Sequence, residues 1–217
     1  MYVVMSYQLL LRFLILLLGL ALLAFGVAIS IRSQLGTSPI SSLPYVYSFV
    51  MPLSVGILTI FMHIIMIVSQ MLLLGQQFHW HRWLQLPIGM IFGFGIDAML
   101  WLTESWVVET YMLQMLFCMV GCIITAIGVC LLIKANLVFL AGEGLYQAVS
   151  MRFGIAFGSC KTYGDVILVS LAALSSWLFL HEIVGIREGT IVTALLVGSL
   201  VKLLLPYVSF LDALNEK

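Results

Sequence analysis

The chain has 217 residues, 63% of them hydrophobic and 8% charged, with formal net charge zero and mean hydropathy +1.20. An ordinary soluble domain carries about 25% charged residues, so this composition is that of a membrane protein and leaves no room for a separate soluble domain. No Lys/Arg run offers a footprint for phosphate backbones, which excludes nucleic acid as a partner.

A bilayer core of about 30 Å needs about 20 apolar residues in a helix. Six segments reach that length: about Leu10 to Ile31, Val55 to Leu74, Leu84 to Leu102, Tyr111 to Ile133, Thr162 to Leu180 and Gly189 to Phe210. The first is too long for a signal-peptide core and lacks a small-residue cleavage site behind it, so it is expected to remain as a helix. Between the first and second spans lies "SQLGTSPISSLPYVYSFVMPLS", broken by Gly36, Pro39, Pro44 and Pro52; between the fourth and fifth lies "ANLVFLAGEGLYQAVSMRFGIA", broken by Gly142 and Gly144. Both are too apolar for ordinary loops and too interrupted for spans. They read either as half-helices dipping into the protein, where irregular backbone can be satisfied, or as amphipathic helices lying in the interface. Trp80, Trp83, Trp101 and Trp106 flank the third span, where indole rings favour the headgroup region.

Lys and Arg near span ends favour the cytoplasm. With the N-terminus inside, Arg12, Arg82, Lys134, Arg152, Lys161 and Lys217 fall on the cytoplasmic side, while Arg32, Arg187 and the acidic loop with Glu104 and Glu109 fall outside. Both termini are therefore expected in the cytoplasm. Cys118, Cys122, Cys130 and Cys160 show no metal or redox spacing and read as reduced, packed thiols.

Two stretches repeat. "GVAISIRSQL" from Gly26 matches "GVCLLIKANL" from Gly128, an offset of 128 − 26 = 102, and the same offset pairs Leu43 with Leu145, Ser48 with Ser150, Gly56 with Gly158 and Gln85-Leu86 with Arg187-Glu188. Apolar bias alone does not supply matched Gly, Arg/Lys and Gln/Asn positions. The single polytopic domain, 1–217, thus reads as repeat 1 over about 8–104 and repeat 2 over about 110–211. Three spans per copy is an odd number, so the second copy enters the membrane from the opposite side. The expected fold is an all-α membrane protein: six transmembrane helices as two inverted three-helix repeats, each with a broken re-entrant or interfacial segment. Many secondary transporters share that architecture and bind substrate near the midplane at the repeat interface. A full crossing by the broken segment would instead make the repeats parallel.

The ordered motifs "SIRSQLGTSPISSLPY", "LQLPIGMIFGFGID", "IKANLVFLAGEGL", "FGSCKTYGDV" and "GIREGTIVTALLVG" resemble the YczE/YyaS/YitT-like group of bacterial integral membrane proteins over nearly the whole chain. The resemblance implies a bacterial cytoplasmic-membrane location and a permease-like role, without naming a substrate.

An ionisable group inside a span costs about 2.5 to 3.5 kcal/mol on insertion scales and asks for a reason. Gly89, Gly93 and Asp97 share one helix face, a small-residue strip ending in a carboxylate; Ala194, Gly198 and Lys202 repeat the pattern in the second copy, about one turn displaced from the offset of 102. Asp97 fits a functional role and a span-end role alike, and Lys202 fits snorkelling. Lys161 and Asp165, four apart, read first as a structural ion pair. Their counterparts are Thr59 and His63, and His63 can relay protons or make a satisfied polar contact. Arg187-Glu188 opens the last span, where capping explains it. His79 and His81 lack a third ligand, so no metal is expected, and no cofactor.

No nucleophile–base set or nucleotide cradle can be assembled, so the chain is not expected to be an enzyme; an intramembrane enzyme built on Glu143, Asp97 and His63 would need a geometry the sequence does not display. The expectation is a permease or secondary transporter of a small polar or anionic solute. Its pathway would comprise Thr37, Ser38, Ser41 and Ser42 on one broken segment, Glu143 on the other, and His63, Asp97, Lys161, Asp165, Arg187 and Glu188. The other reading is a non-transporting accessory or regulatory protein acting through helix–helix contacts. The lipid bilayer and an unknown small solute are the expected partners, with a homodimer left open.

Overall fold

The computed structural model describes residues 2–214, which form eight α-helices and short 3-10 segments with no strand among them. In chain order these are α1 (Tyr2–Arg32), α2 (Pro39–Val50), α3 (Val55–Leu74), α4 (Gln85–Leu102), α5 (Tyr111–Ala135), α6 (Ala141–Phe153), α7 (Phe157–Leu180) and α8 (Glu188–Leu204). Six of them, all but α2 and α6, are long and apolar enough to cross a membrane, α8 by way of the 3-10 segment that follows it. The chain is thus a multi-pass membrane protein by helix length and composition. Lys217, one of the residues expected on the cytoplasmic side, lies outside the described residues.

Local chemistry sets the helix ends. α1 runs without proline to Arg32; the chain then turns through Gln34 and Gly36, both in the left-handed region (φ 57° and 107°), and α2 begins at Pro39, whose fixed φ suits a first helical turn. Ser54 caps α3, its hydroxyl accepting the Ile57 N–H at 3.2 Å. The fifth span starts at Phe157, five residues before the expected Thr162, because Gly158 continues the helix as its second residue. The last regular helix stops at Leu204 as Pro206 approaches, and the chain continues to Leu214 as a 3-10 segment.

α1 and α5 form the central pair and run antiparallel. A methyl group built on Gly19 would sit 3.1 Å from the Gly128 carbonyl oxygen, and one on Gly26 would sit 3.1 Å from that of Gly121. Between apolar helices in lipid, such close backbone approach supplies the packing that burial supplies in water. Arg12 closes one end of the pair, donating to the carbonyls of Ala135 (2.9 Å) and Asn136 (2.6 Å). Around the pair, Leu16, Leu20, Leu23, Ala24, Val27 and Ile31 pack with Ile88, Phe92 and Ile96 of α4. Leu72, Trp101 and Leu195 are among the residues pointing outward, as the rim of a lipid-facing bundle requires.

α4 packs on α1, α8 on α5, α2 on α7 and α6 on α3. α3 and α4 are also clasped directly: a methyl on Gly93 would lie 2.6 Å from the Gly56 carbonyl oxygen, so the two glycines meet backbone to backbone. Asp97 completes the clasp, one oxygen accepting the Gly56 N–H at 2.7 Å and the other the Ser54 hydroxyl at 2.5 Å. Its carboxylate is thus a cap for α3 supplied by α4. Asp97→Ala is expected to cost about 2 to 3 kcal/mol, the worth of hydrogen bonds to a charged acceptor; thermal unfolding of the detergent-purified protein checks it, and an unchanged midpoint would remove Asp97 from the clasp. α7 and α8, by contrast, do not pack along each other, and Gly158 and Gly198 face open space.

Candidate functional site

The gap beside α7 and α8 opens into a cavity of about 800 Å³ that reaches the middle of the bundle. The N-terminal ends of α2 and α6 converge there: a methyl on Gly142 would lie 2.5 Å from Ile40 Cδ1, and Ser38, Pro39 and Ser41 of one helix end face the space together with Glu143 of the other. The remaining wall is mostly apolar, with Leu23, Val129, Leu132, Phe157, Val197 and Val201 among its side chains. Glycine at position 142, in the first turn of α6, lets these two ends approach each other.

Glu143 sits in the first turn of α6, where the helix dipole favours a carboxylate. It borders the cavity, and its Oε2 is buried without a hydrogen-bond partner. An unpaired buried carboxylate oxygen is costly; protonation or a bound donor would relieve it. Nearby on α7, the Lys161 ammonium meets Asp165 Oδ2 at 3.1 Å, and the Tyr146 hydroxyl of α6 donates to Asp165 Oδ1 at 2.8 Å. The Tyr146 ring lies directly against Gly164, where any Cβ would overlap it, and the Lys161 ammonium stands 5.5 Å from the ring centroid. Asp165 is therefore held on both oxygens, and Lys161 is held by Asp165.

A second polar network fixes α6 to α3 and α4. The amide of fully buried Gln70 donates to Gln85 Oε1 (2.9 Å) and to the Ala141 carbonyl (3.1 Å). Arg82 donates to Gln70 Oε1 (3.0 Å), to the Gly144 carbonyl (3.4 Å) and to Gln147 Oε1 (3.4 Å). Gly144 leaves room for this network, since a methyl there would sit 2.7 Å from Gln85 Nε2. His63 lines the cavity on α3, stacked on Phe92 at 5.9 Å with its Nδ1 unpartnered and turned toward Gly89.

Of the pathway residues expected from sequence, Ser38, Ser41, His63, Glu143, Lys161 and Asp165 share this cavity. The others do not. Thr37 and Arg187 line a separate pocket of about 220 Å³, where Thr37 N–H donates to the Gly185 carbonyl (3.1 Å) and Arg187 to that of Gln34 (3.3 Å). Arg187 also pairs with Glu188 at 3.2 Å, both half-exposed. Ser42 is buried with its hydroxyl on the Pro39 carbonyl (2.7 Å), and Asp97 caps α3. Sequence reading missed Tyr146, Gln147, Gln70 and Gln85 as site residues, and used Arg82 for orientation rather than as part of a site. The available signal was Gln70, an amide near the end of a mostly apolar span. The four cysteines are free and buried, as expected, and no cluster of three metal-ligating side chains occurs among the described residues.

Comparison with curated proteins and with solved structures gives no match. A family model does match, over residues 10–206, which takes in all of α2 to α8 and most of α1. The chain belongs to this family, described as a family of unknown function (DUF6198).

Proposed function

We propose that this protein is a permease that exchanges access to the central cavity by rocking two inverted repeats against each other. The observation that carries the reading is the cavity itself: two short-helix N-termini and a carboxylate with one unbonded oxygen face it, and it is closed beside α3–α4 and open beside α7–α8.

The inverted duplication is supported by how contacts exchange under the offset of 102. α2 starts at Pro39 and α6 at Ala141, and 39 + 102 = 141; α3 starts at Val55 and α7 at Phe157, and 55 + 102 = 157. Since 19 + 102 = 121 and 26 + 102 = 128, the Gly19–Gly128 and Gly26–Gly121 contacts turn into each other when the halves are swapped. Ile40 meets its own counterpart, Gly142, as a residue pair on a pseudo-twofold axis does. The packing of α2 on α7 swaps with α6 on α3, and α1 on α4 with α5 on α8. Only the α3–α4 clasp lacks its twin. A swap of conformations between halves would close α7 onto α8 and would open α3 from α4.

In this reading α2 and α6 are re-entrant half-helices and the chain is not an enzyme. The cytoplasmic-side termini, the bacterial cytoplasmic membrane and the likeness to the YczE/YyaS/YitT-like group belong to the same proposal. The motif residues Leu35 to Pro39 and Gly142 to Gly144 fall at the converging helix ends.

Ser38→Cys tests it. The native cysteines are buried, so the parent protein is a low background for membrane-impermeant thiol reagents. Labelling of Ser38→Cys is expected in both right-side-out and inside-out vesicles. Labelling from one face alone would describe a fixed cleft and sink the permease; protection from both would favour the accessory protein.

A further inference from the structure

We infer that the cavity takes a cationic amphiphile, an organic ammonium group on an apolar body, with the ammonium seated on Glu143. The volume lies within the ~300–1,000 Å³ of ordinary small-molecule sites, and the mostly apolar wall suits a hydrocarbon or aromatic body rather than a hydrated ion. What remains is the sign of the head group, and the polar inventory of the wall decides it.

The donors left to an anion are the first-turn amides of α2 and α6, at Ile40, Ala141 and Gly142, and there the Glu143 carboxylate opposes it with like charge. At the start of α2, Pro39 has no N–H, and the amides of Ser41 and Ser42 already donate to the Ser38 carbonyl (3.0 and 2.9 Å). The Ser38 hydroxyl donates to Ser41 Oγ at 3.0 Å. The Lys161 ammonium is bonded to Asp165, which Tyr146 also binds, and it acts on Glu143 through space without bonding to Oε2. Lys202 lies in the last turn of α8, exposed, where its long stem lets the ammonium leave the apolar wall for the rim. His63 Nδ1 points at Gly89 of α4 rather than at the α6 end. Glu143 Oε2 is the buried oxygen of the wall still lacking a donor, and an ammonium brings N–H groups and opposite charge in one group.

The inference rests on the permease reading for its use in transport, but ligand binding is an equilibrium that needs no exchange of access. Three probes with a common phenyl body separate the head groups: 2-phenylethylamine, 3-phenylpropionate and phenylalanine. Titrated into the detergent-purified chain by calorimetry, the amine is expected to bind saturably and to raise the thermal midpoint, with the zwitterion weaker and the carboxylate weakest. Glu143→Gln should weaken amine binding about tenfold or more, as loss of a charge-assisted bond implies, while Glu143→Asp keeps part of it and Lys202→Gln leaves it intact. Equal or tighter binding of the carboxylate or zwitterion overturns the inference, as does undiminished amine binding to Glu143→Gln or no amine binding at millimolar concentration. Should the Glu143 variants fail to fold, the ranking of the three probes on the unaltered protein decides alone. Failure here with Ser38→Cys labelled from both faces removes the substrate class and leaves the permease; the converse removes the permease and leaves a binding site.

Discussion

Gly26→Leu is expected to abolish accumulation of folded protein, the largest effect of any single substitution in the central pair. Even one added methyl would overlap Thr125 Oγ1 and lie 2.9 Å from the Thr125 backbone nitrogen and 3.1 Å from the Gly121 carbonyl oxygen. Two of those three atoms are backbone in the middle of a 25-residue helix, so they cannot swing aside as a side chain would. Overpacking in a core that can adjust costs about 1 to 3 kcal/mol; here adjustment means separating α1 from α5, around which α4 and α8 are packed. A loss well above ~3 kcal/mol follows, a large fraction of ordinary domain stability. The matched control is Gly198→Leu, where no atom lies within 4 Å of an added methyl and the new side chain meets open space. Detergent-solubilised yield and monodispersity by size-exclusion chromatography compare the two. Equal yields would mean that α1 and α5 do not cross as described.

Gln70→Leu should come next, at about 3 kcal/mol. Leucine fills a similar volume, so the cost is not a cavity. It is the loss of partners for Gln85 and Arg82 and of the bond to the Ala141 carbonyl at the start of α6. A buried amide and part of a guanidinium are left unsatisfied, at about 1 to 3 kcal/mol for a neutral group and more for a charged one. Because the three side chains form one network, Gln70→Leu and Arg82→Ala should combine to clearly less than the sum of their separate effects. Thermal unfolding of the two single variants and the double variant supplies the cycle, with Gln77→Leu, at an exposed site, as the neutral control. Full additivity would show that Arg82 and Gln70 act independently.

Asp97 shows how a residue can be noticed correctly and still be given an open role. Its position beside the Gly89–Gly93 strip was legible from spacing, because residues four apart share a helix face. Its partners, Ser54 and the Gly56 N–H, lie more than forty positions away, and nothing in the local pattern points to them. The same holds for Glu143. Glycines on either side marked it, but only packing shows that Asp165 is already occupied by Lys161 and Tyr146 while Glu143 Oε2 is not.

By itself the sequence determined the membrane class, the six long helices, the two interrupted segments and the 102-residue offset, since each depends on hydropathy, breakers or internal comparison within the chain. Tertiary structure alone decided which polar groups meet, that the two short-helix ends converge, and that the cavity opens on one side. Both halves carry small-residue strips, so the strips do not predict the open side. Where α3 has the Ser54 cap bound to Asp97, the start of α7 has Ala156 and no side-chain cap. The α3–α4 pair therefore has hydrogen bonds to hold it together, while α7 and α8 have only surfaces that could meet, a difference whose effect appears only when the helices are placed side by side.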